Sequence, residues 1–323
     1  MTTNGPLFER MALIGLGLLG SSLARVAKRD GLIGHIAGST RSRGTLERAF
    51  ELGFLDSIHE TPAEAVKEAD LIVLCAPVGA NAAIAAAIAG NLRPGAIVTD
   101  VGSVKQAIVR DVGPHIPAGV HLVPGHPVAG TEKSGPDHGF AELFENRYCI
   151  LTPPLGTDEA AVEKVAALWR RAGSRVEIMD PHHHDRVLAI TSHLPHLIAY
   201  TIVGTASDLE NQLLREDSEN ADLVRTREVI RYSAGGFRDF TRIAASPPEM
   251  WRDIFLNNRE TVLEMLGRFT EDLIGLQQAI RWGEGDKLHA WFERTREIRQ
   301  GVCLLYTSPS PRDMRRSRMP SSA

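Results

Sequence analysis

Three groups of residues in this sequence have types and spacings that could do chemistry. The first is Gly15, Gly17 and Gly20 in "ALIGLGLLGSSLARVAK". In this GxGxxG spacing the glycines permit a tight turn, close approach of backbone to a pyrophosphate, and close packing of helix on strand. The free N–H groups of the helix that follows face the phosphates. An apolar strand-like run precedes the triplet and an amphipathic helix follows it, so it reads as a dinucleotide cradle, with a glycine-rich structural turn as the alternative. The second is His126, held between Gly125 and Pro127 in "HLVPGHPVAG" on a stiff turn after an apolar run. An imidazole there can take a proton from a hydroxyl while a bound nucleotide takes the hydride, although position alone suits a structural loop histidine equally well. The third is Ser103 in "DVGSVKQ", at the end of another apolar run, where open α/β sheets bind ligands. Ser103 with Gln106 also fits a capping box, and the two roles are compatible.

The acid that often bonds the adenosine ribose, about twenty residues beyond the glycines, is missing. "GSTRSRG" puts Thr40 there instead, with Arg41 and Arg43 beside it. A hydroxyl and guanidinium groups can hold a 2′-phosphate that an acid would repel, so the sequence favours NADP over NAD, surface loop arginines being the plainer reading. His193 and His196 are three residues apart, but a helical zinc pair needs a third ligand in register, and no metal is expected. His182, His183 and His184 would point about 100° apart on a helix and read as a polar helix start.

The elements that must position these groups follow from the hydrophobic pattern. Apolar runs at 10–14, 35–39, 70–77, 96–101, 121–125 and 148–154 are strand candidates, with helical segments between the first four. Their near-continuous apolar character suits a parallel sheet covered on both faces, hence a doubly wound, Rossmann-like α/β domain. A helix and strand at 157–179 complete it. From Pro181 the strand signal stops. One helix is expected from "PHHHDRVL" onward, interrupted near Pro195. A longer one is expected in "SPPEMWRDIFLNNRETVLEMLGRFTEDLIGLQQAIRW", capped by Ser246 with Glu249. Trp251, Phe255, Val262, Met265, Phe269, Leu273, Leu276 and Ile280 form its stripe, on a helix of roughly 50 Å. A stripe that long calls for a partner subunit. The expected division is therefore 1–179 as the dinucleotide-binding domain, 180–301 as an all-α substrate and dimerisation domain, and 302–323 as a disordered, non-native tail resembling translated vector sequence.

The chain has 323 residues, 43% hydrophobic and 24% charged, with a formal net charge of −4. That balance gives no reason to expect nucleic acid or an anionic membrane as partner, and a small-molecule substrate is the default. Cys75, Cys149 and Cys303 are few and scattered, which fits a reduced compartment. With no leader-like segment and no run approaching 18 apolar residues, a cytoplasmic protein is expected.

Five motifs in order then give a resemblance: "GLGLLGSS", "DVGSVK", "GHPVAGTEKSG", "HDRVLAITSHLPH" and "GGFRDFTRIAASPPEMWRDI". Over about residues 10–300 the sequence resembles the prephenate/arogenate (cyclohexadienyl) dehydrogenases of tyrosine biosynthesis. The resemblance implies oxidative decarboxylation of prephenate to 4-hydroxyphenylpyruvate, of arogenate to tyrosine, or of both. It implies that His126 draws the proton from the ring C4 hydroxyl and that Ser103 orients that hydroxyl and the cofactor. His196 and Arg242 correspond to substrate contacts, Arg242 being the natural partner of a carboxylate. Thr131, Glu132, Asp185 and Trp251 correspond to residues at or near the same pocket. The cofactor set it implies is Gly15, Leu16, Gly17, Leu18, Leu19, Gly20, Thr40, Arg41, Arg43, Ala76 and Pro77. Two departures stand out: Thr40 in place of the acid, and a longer polar stretch at 208–230. The alternatives are a 3-hydroxyacid dehydrogenase, which needs a helical lysine where 180–300 offers only Lys287, and a non-enzymatic NADP-sensing module.

Overall fold

The computed structural model describes residues 5–131, 133–216 and 234–305. In the first half β1 (Phe8–Ile14), α1 (Leu18–Arg29), β2 (Ile33–Ser39), α2 (Arg43–Glu51), β3 (Ser57–Ile58), α3 (Pro62–Ala65), β4 (Leu71–Leu74), α4 (Asn81–Ile88), β5 (Ile97–Asp100), α5 (Gln106–Val112) and β6 (His121–Leu122) follow in turn. The six strands form one parallel sheet in the order β3-β2-β1-β4-β5-β6. Successive strand side chains point to opposite faces. Met11 and Leu13 of β1 and Leu71 and Val73 of β4 accordingly enter one core with Leu23 and Trp169, while Ala12, Ile14, Ile72 and Leu74 enter the other with Ile88 and Ile108.

The 121–125 run is not one strand. Only His121–Leu122 pairs with the main sheet, and β7 (Gly125–Pro127) opens a second sheet with β8 (Tyr148–Leu151) and, after α6 (Glu159–Arg171), β9 (Arg175–Ile178). β7 runs antiparallel to β8, with His126 opposite Ile150. His126 therefore lies within a strand ladder, not on the free turn expected from Gly–His–Pro. Pro124 separates the two strands, and its carbonyl receives the N–H of Thr152 at 2.9 Å.

Beyond β9 the chain is helical. α7 (Pro181–Leu188) passes through a π-helical segment, Ala189–His193, into α8 (Leu194–Glu216). Pro195 thus widens the preceding turn rather than breaking the helix, because its missing N–H and its ring disturb only the turn before it. The run Pro181–Gln212 is long and apolar enough, by length and composition, to cross a membrane. It also carries fully buried His184, Asp185 and His193, each held by at least one side-chain hydrogen bond, so its early turns belong to a protein core. The polar stretch at 208–230 lies largely outside the described residues.

After α9 (Gly235–Thr241) the expected single long helix is two, α10 (Pro248–Asn257) and α11 (Arg259–Arg281), followed by α12 (Gly285–Leu305). Asn258, at φ −112° and ψ 31°, makes the break. Nor does Ser246 cap α10. Pro247 is the N-cap, because the residue before a proline is held extended, and Pro248 takes the first helical position. Val302–Leu305, expected in a disordered tail, continue α12, and residues 306–323 lie outside the described residues. By contacts the chain divides into two compact units, one to Met265 and one from Leu266. The first joins the α/β part to the helices through α10, whose Trp251 and Ile254 pack into the second sheet-face core. In the second unit Leu273, Ile280, Trp282 and Phe292 are exposed.

The glycine turn separates packing from ligand approach. Gly15 has φ +105°, and a Cβ there would lie 2.6 Å from the Cys75 carbonyl carbon; one on Gly20 would lie 2.4 Å from the Gly15 oxygen. A Cβ on Gly17 would meet nothing within 4 Å. Gly15→Ala should therefore cost about 2 kcal/mol or more of stability in urea unfolding. Gly17→Ala should unfold like the parent, within about 0.5 kcal/mol, yet bind dinucleotide more weakly in a fluorescence titration.

Candidate active site

The centre of the site is a row of buried polar groups on three elements. Asp185, in the second turn of α7, accepts the backbone N–H of Lys105 on Oδ1 at 2.8 Å and that of Gln106 on Oδ2 at 3.0 Å. It thereby caps α5, which has no side-chain cap of its own; Ser103 does not supply the expected capping box. Asp185 Oδ1 also pairs with His184 Nδ1 at 2.8 Å, and His184 Nε2 with His126 Nδ1 at 2.8 Å. The carboxylate can only accept, so His184 carries its proton on Nδ1 and presents a bare Nε2. His126 must then donate from Nδ1, and its own Nε2 is left as an open acceptor. The row fixes the tautomer a general base requires.

Burial sets the charge states. It pushes His126 well below the usual imidazole range, aided by His184, Lys105 and His193. Burial also lowers His184, against the opposing pull of Asp185. For Asp185 burial acts upward, but the His184 hydrogen bond and the two α5 backbone donors outweigh it and hold the carboxyl below its ordinary value. The row is thus an anion followed by two neutral rings.

A second group lies next to it. His193, buried in the π segment, accepts from Asn258 Nδ2 at 3.2 Å, and the same amide donates to the Asp185 carbonyl at 3.0 Å. Burial brings His193 down to about 4. Trp251 sets its edge against His193 and stacks on His196, with ring centroids 3.7 Å apart. His196 Nδ1 donates to the Ser192 carbonyl at 2.9 Å, which leaves Nε2 as its acceptor. Burial and then the nearby Arg242 charge disfavour protonation of His196. Arg242 itself is exposed at the head of a 3₁₀ turn, Arg242–Ala245.

The nucleotide end is built by α1. Gly17 is its N-cap without a side-chain cap, no acid sits in its first turn, and a Cβ on Gly17 would meet nothing within 4 Å, so the start of the helix suits an anion. Leu16 is buried beneath, and Ala76 and Pro77 follow Cys75 beside the Gly15 turn. These residues fit a dinucleotide. Thr40 directly follows β2, Arg41 is exposed, and Arg43 is engaged by Glu47 at 2.9 Å and Glu60 at 3.4 Å.

The expected site residues fare unevenly. His196, Trp251 and Arg242 come together, and His126 is near them through His193, whereas Asp185 has its oxygens occupied by α5 and His184. Ser103 sits between Asp100 and Lys105 on the loop after β5. Thr131 is exposed, its hydroxyl accepting the Lys133 N–H at 3.2 Å, and Glu132 lies outside the described residues. His184 is the main residue that the sequence reading missed. His182 and His183 are exposed as a polar helix start should be, but His184 shares the buried face of α7 with Leu188, four residues on. That spacing was the available signal. Asp100, Lys105 and Asn258 were missed too, the first two although they flank Ser103.

A nucleotide-binding sheet joined to a helical part, with a neutral buried imidazole between them, defines an NAD(P)-dependent dehydrogenase. Residues 23–178 match the family described as prephenate dehydrogenase, nucleotide-binding domain, and residues 180–294 its dimerization domain. The cyclohexadienyl dehydrogenase of Zymomonas mobilis is 41% identical over 90% of this chain and 95% of its own. The prephenate dehydrogenase of Bacillus subtilis is 32% identical over 92% of this chain and 76% of its own. Among solved structures, prephenate dehydrogenase from Aquifex aeolicus, in complex with hydroxyphenyl propionate and NAD+, superposes with TM-score 0.79 at 33% identity, covering 91% of this chain and 98% of that one. Synechocystis arogenate dehydrogenase superposes with TM-score 0.73 at 27% identity, covering 91% and 99%. The chain belongs to the prephenate dehydrogenase family, and it is an oxidoreductase of tyrosine biosynthesis that carries out NAD(P)-dependent oxidative decarboxylation.

The buried rings make stability depend on pH. Unfolded imidazoles titrate near 6.5, while folded His126, His184 and His193 stay neutral to lower pH, so below about 6.5 the unfolded state binds more protons. The unfolding free energy should therefore fall from pH 7.5 to pH 5.5, each ring contributing at most about 1.4 kcal/mol per pH unit. Urea unfolding across that range should show the fall, and His193→Gln should flatten it. A flat profile for the parent protein would contradict neutral burial.

Proposed function

We propose that His126 is the general base of this enzyme and that it accepts both prephenate and arogenate. The observation that carries this is the open Nε2 of a neutral, immobilised imidazole whose other nitrogen is tied to His184. His126 Nε2 takes the proton of the substrate's C4 hydroxyl as the C4 hydride departs. A bound nicotinamide dinucleotide supplies the hydride acceptor. Breaking the bond to the ring carboxylate releases CO₂ and sends its electron pair through the ring to the C4 oxygen, which makes the ring aromatic. That oxygen then retakes the proton from His126. His184 and Asp185 steady the positive charge while His126 holds the proton, as a carboxylate does behind a catalytic imidazole.

Ser103, on the loop after β5, orients the hydroxyl and the cofactor. Arg242 pairs with a substrate carboxylate, and His196, held flat against Trp251, contacts the substrate through Nε2. Thr131, on the loop after β7, contacts the same substrate, and Glu132 corresponds to a pocket residue of the family. NADP and NAD are both accepted, with NADP preferred because Thr40 and Arg41 present no carboxylate to a 2′-phosphate. The enzyme acts as a cytoplasmic homodimer through the exposed apolar face of the second unit, consistent with the dimerization-domain match and the free Cys75 and Cys149.

Purified protein given prephenate or arogenate with NAD or NADP should reduce the nicotinamide, followed by absorbance. His126→Asn should bind dinucleotide as the parent does and lose kcat by about 10³-fold. A variant that retains turnover would remove His126 from the mechanism.

A further inference from the structure

Both backbone polar groups of Gly125, the residue before His126, end on one buried ion pair. Asp100, which closes β5, accepts the Gly125 N–H on Oδ1 at 3.1 Å and the Gly102 N–H on Oδ2 at 2.7 Å. Lys105 Nζ donates to Asp100 Oδ2 and, at 2.7 Å, to the Gly125 carbonyl. Both side chains are fully buried. The backbone N–H of Lys105 is also one of the two that end on Asp185. These contacts close a ring: Asp185 to His184, His184 to His126, along the chain to Gly125, Gly125 to Lys105 Nζ, and the Lys105 backbone to Asp185 again. The start of α5, β7 and α7 each supply one segment.

We propose that Lys105, together with Asp100, is a positioning residue for His126. The pair clamps the strand that carries the imidazole and places a fixed cation near the ring, which keeps Nε2 unprotonated and turned to the substrate. This rests on His126 being the base, as proposed above.

The arrangement is costly for a purely structural pair. Taking two charges out of water is costly, and apolar residues of similar volume fill such a space as well or better. The hydrogen bonds of this pair go instead to Gly102 and Gly125, the backbone flanking Ser103 and His126. Space is also specific there, since a Cβ on Gly125 would lie 3.1 Å from the Asp100 carbonyl oxygen. The ionisable groups around His126 are Lys105 and Asp100 from the β5–α5 region, His184 and Asp185 from α7, His193 from the π segment and Cys149 from β8. Lys105 is the cation among them. On balance burial lowers the Lys105 ammonium and raises the Asp100 carboxyl, and their mutual attraction and hydrogen bond offset both changes only in part.

The test is the double variant D100N/K105M, which removes both charges at nearly constant volume and leaves no lone buried ion. It should bind dinucleotide within about twofold of the parent and keep KM, lose kcat by about 10²-fold, and move the acid limb of the kcat profile up by about half a pH unit or more. A merely structural pair would lower the melting temperature and leave that limb in place. A folded double variant with parental kcat and an unmoved limb overturns the proposal. Should the variant not fold, the parent protein decides by ¹⁵N-histidine NMR without substrate, with His126→Gln assigning the signal. His126 should remain a neutral Nδ1–H ring down to about pH 5.5, and a ring titrating near 6.5 overturns the proposal. That measurement needs no turnover. A chain inactive on both substrates with His126 still neutral would refute the reaction assignment and leave the clamp standing.

Discussion

The site depends on the saturation of one buried carboxylate. Asp185 has no access to water, so its charge survives only because N–H donors surround it: two from the first turn of α5 and one from His184. Hydrogen bonds to a charged group are worth about 1.5–3 kcal/mol each, enough together to offset a burial penalty of several kcal/mol. The same bonds complete α5, whose N-terminal amides find no cap in their own sequence and whose dipole favours an anion at that end. α7 must therefore lie against α5. Once it does, His184 lies under His126, and the protonation pattern of the row has a single solution.

The backbone serves the same end. A strand continuing from β6 would leave His126 on a loop at the sheet edge. Splitting the run at Pro124 lets β7 pair with β8, so the imidazole rides on a hydrogen-bonded ladder. On the helical side the π segment and the break at Asn258 are both departures from regular helix, and both fall where polar groups must be reached. Asn258 spends its side chain on the Asp185 carbonyl and His193 rather than on helix continuation. Irregular helix commonly marks functional positions for this reason.

The parallel α/β sheet, the glycine turn and the helical second half were all legible, because each leaves a periodic or spaced pattern in the sequence. What was not legible came from contacts distant in sequence. Asp185 lies near the start of its own helix, yet the helix it caps begins about eighty residues earlier. His184 read as one of three solvent-facing histidines, since exposure of a polar run is the default and burial of its last member depends on a partner 58 residues away. Lys105 gave no signal because buried lysines are rare without a partner, and the partner here is Asp100. Ser246 misled for the opposite reason: its local capping pattern was real, but two prolines overrode it.

The two ends of the nucleotide site obey different physics. Around His126 the charges of Asp185, Asp100 and Lys105 are buried and multiply bonded, so removing one group leaves another unpaired in a low dielectric, and changes there are coupled. Beyond the end of β2 the charges are exposed. Arg43 is shared between Glu47 and Glu60 at the surface, where solvent screens each pair and the side chains are free to rearrange. A 2′-phosphate brought to Arg43 would have to compete with those two carboxylates but would meet no acid at Thr40. Contacts of that kind are weak and independent and can change without disturbing the fold, whereas His126 and the groups bonded to it can change only together.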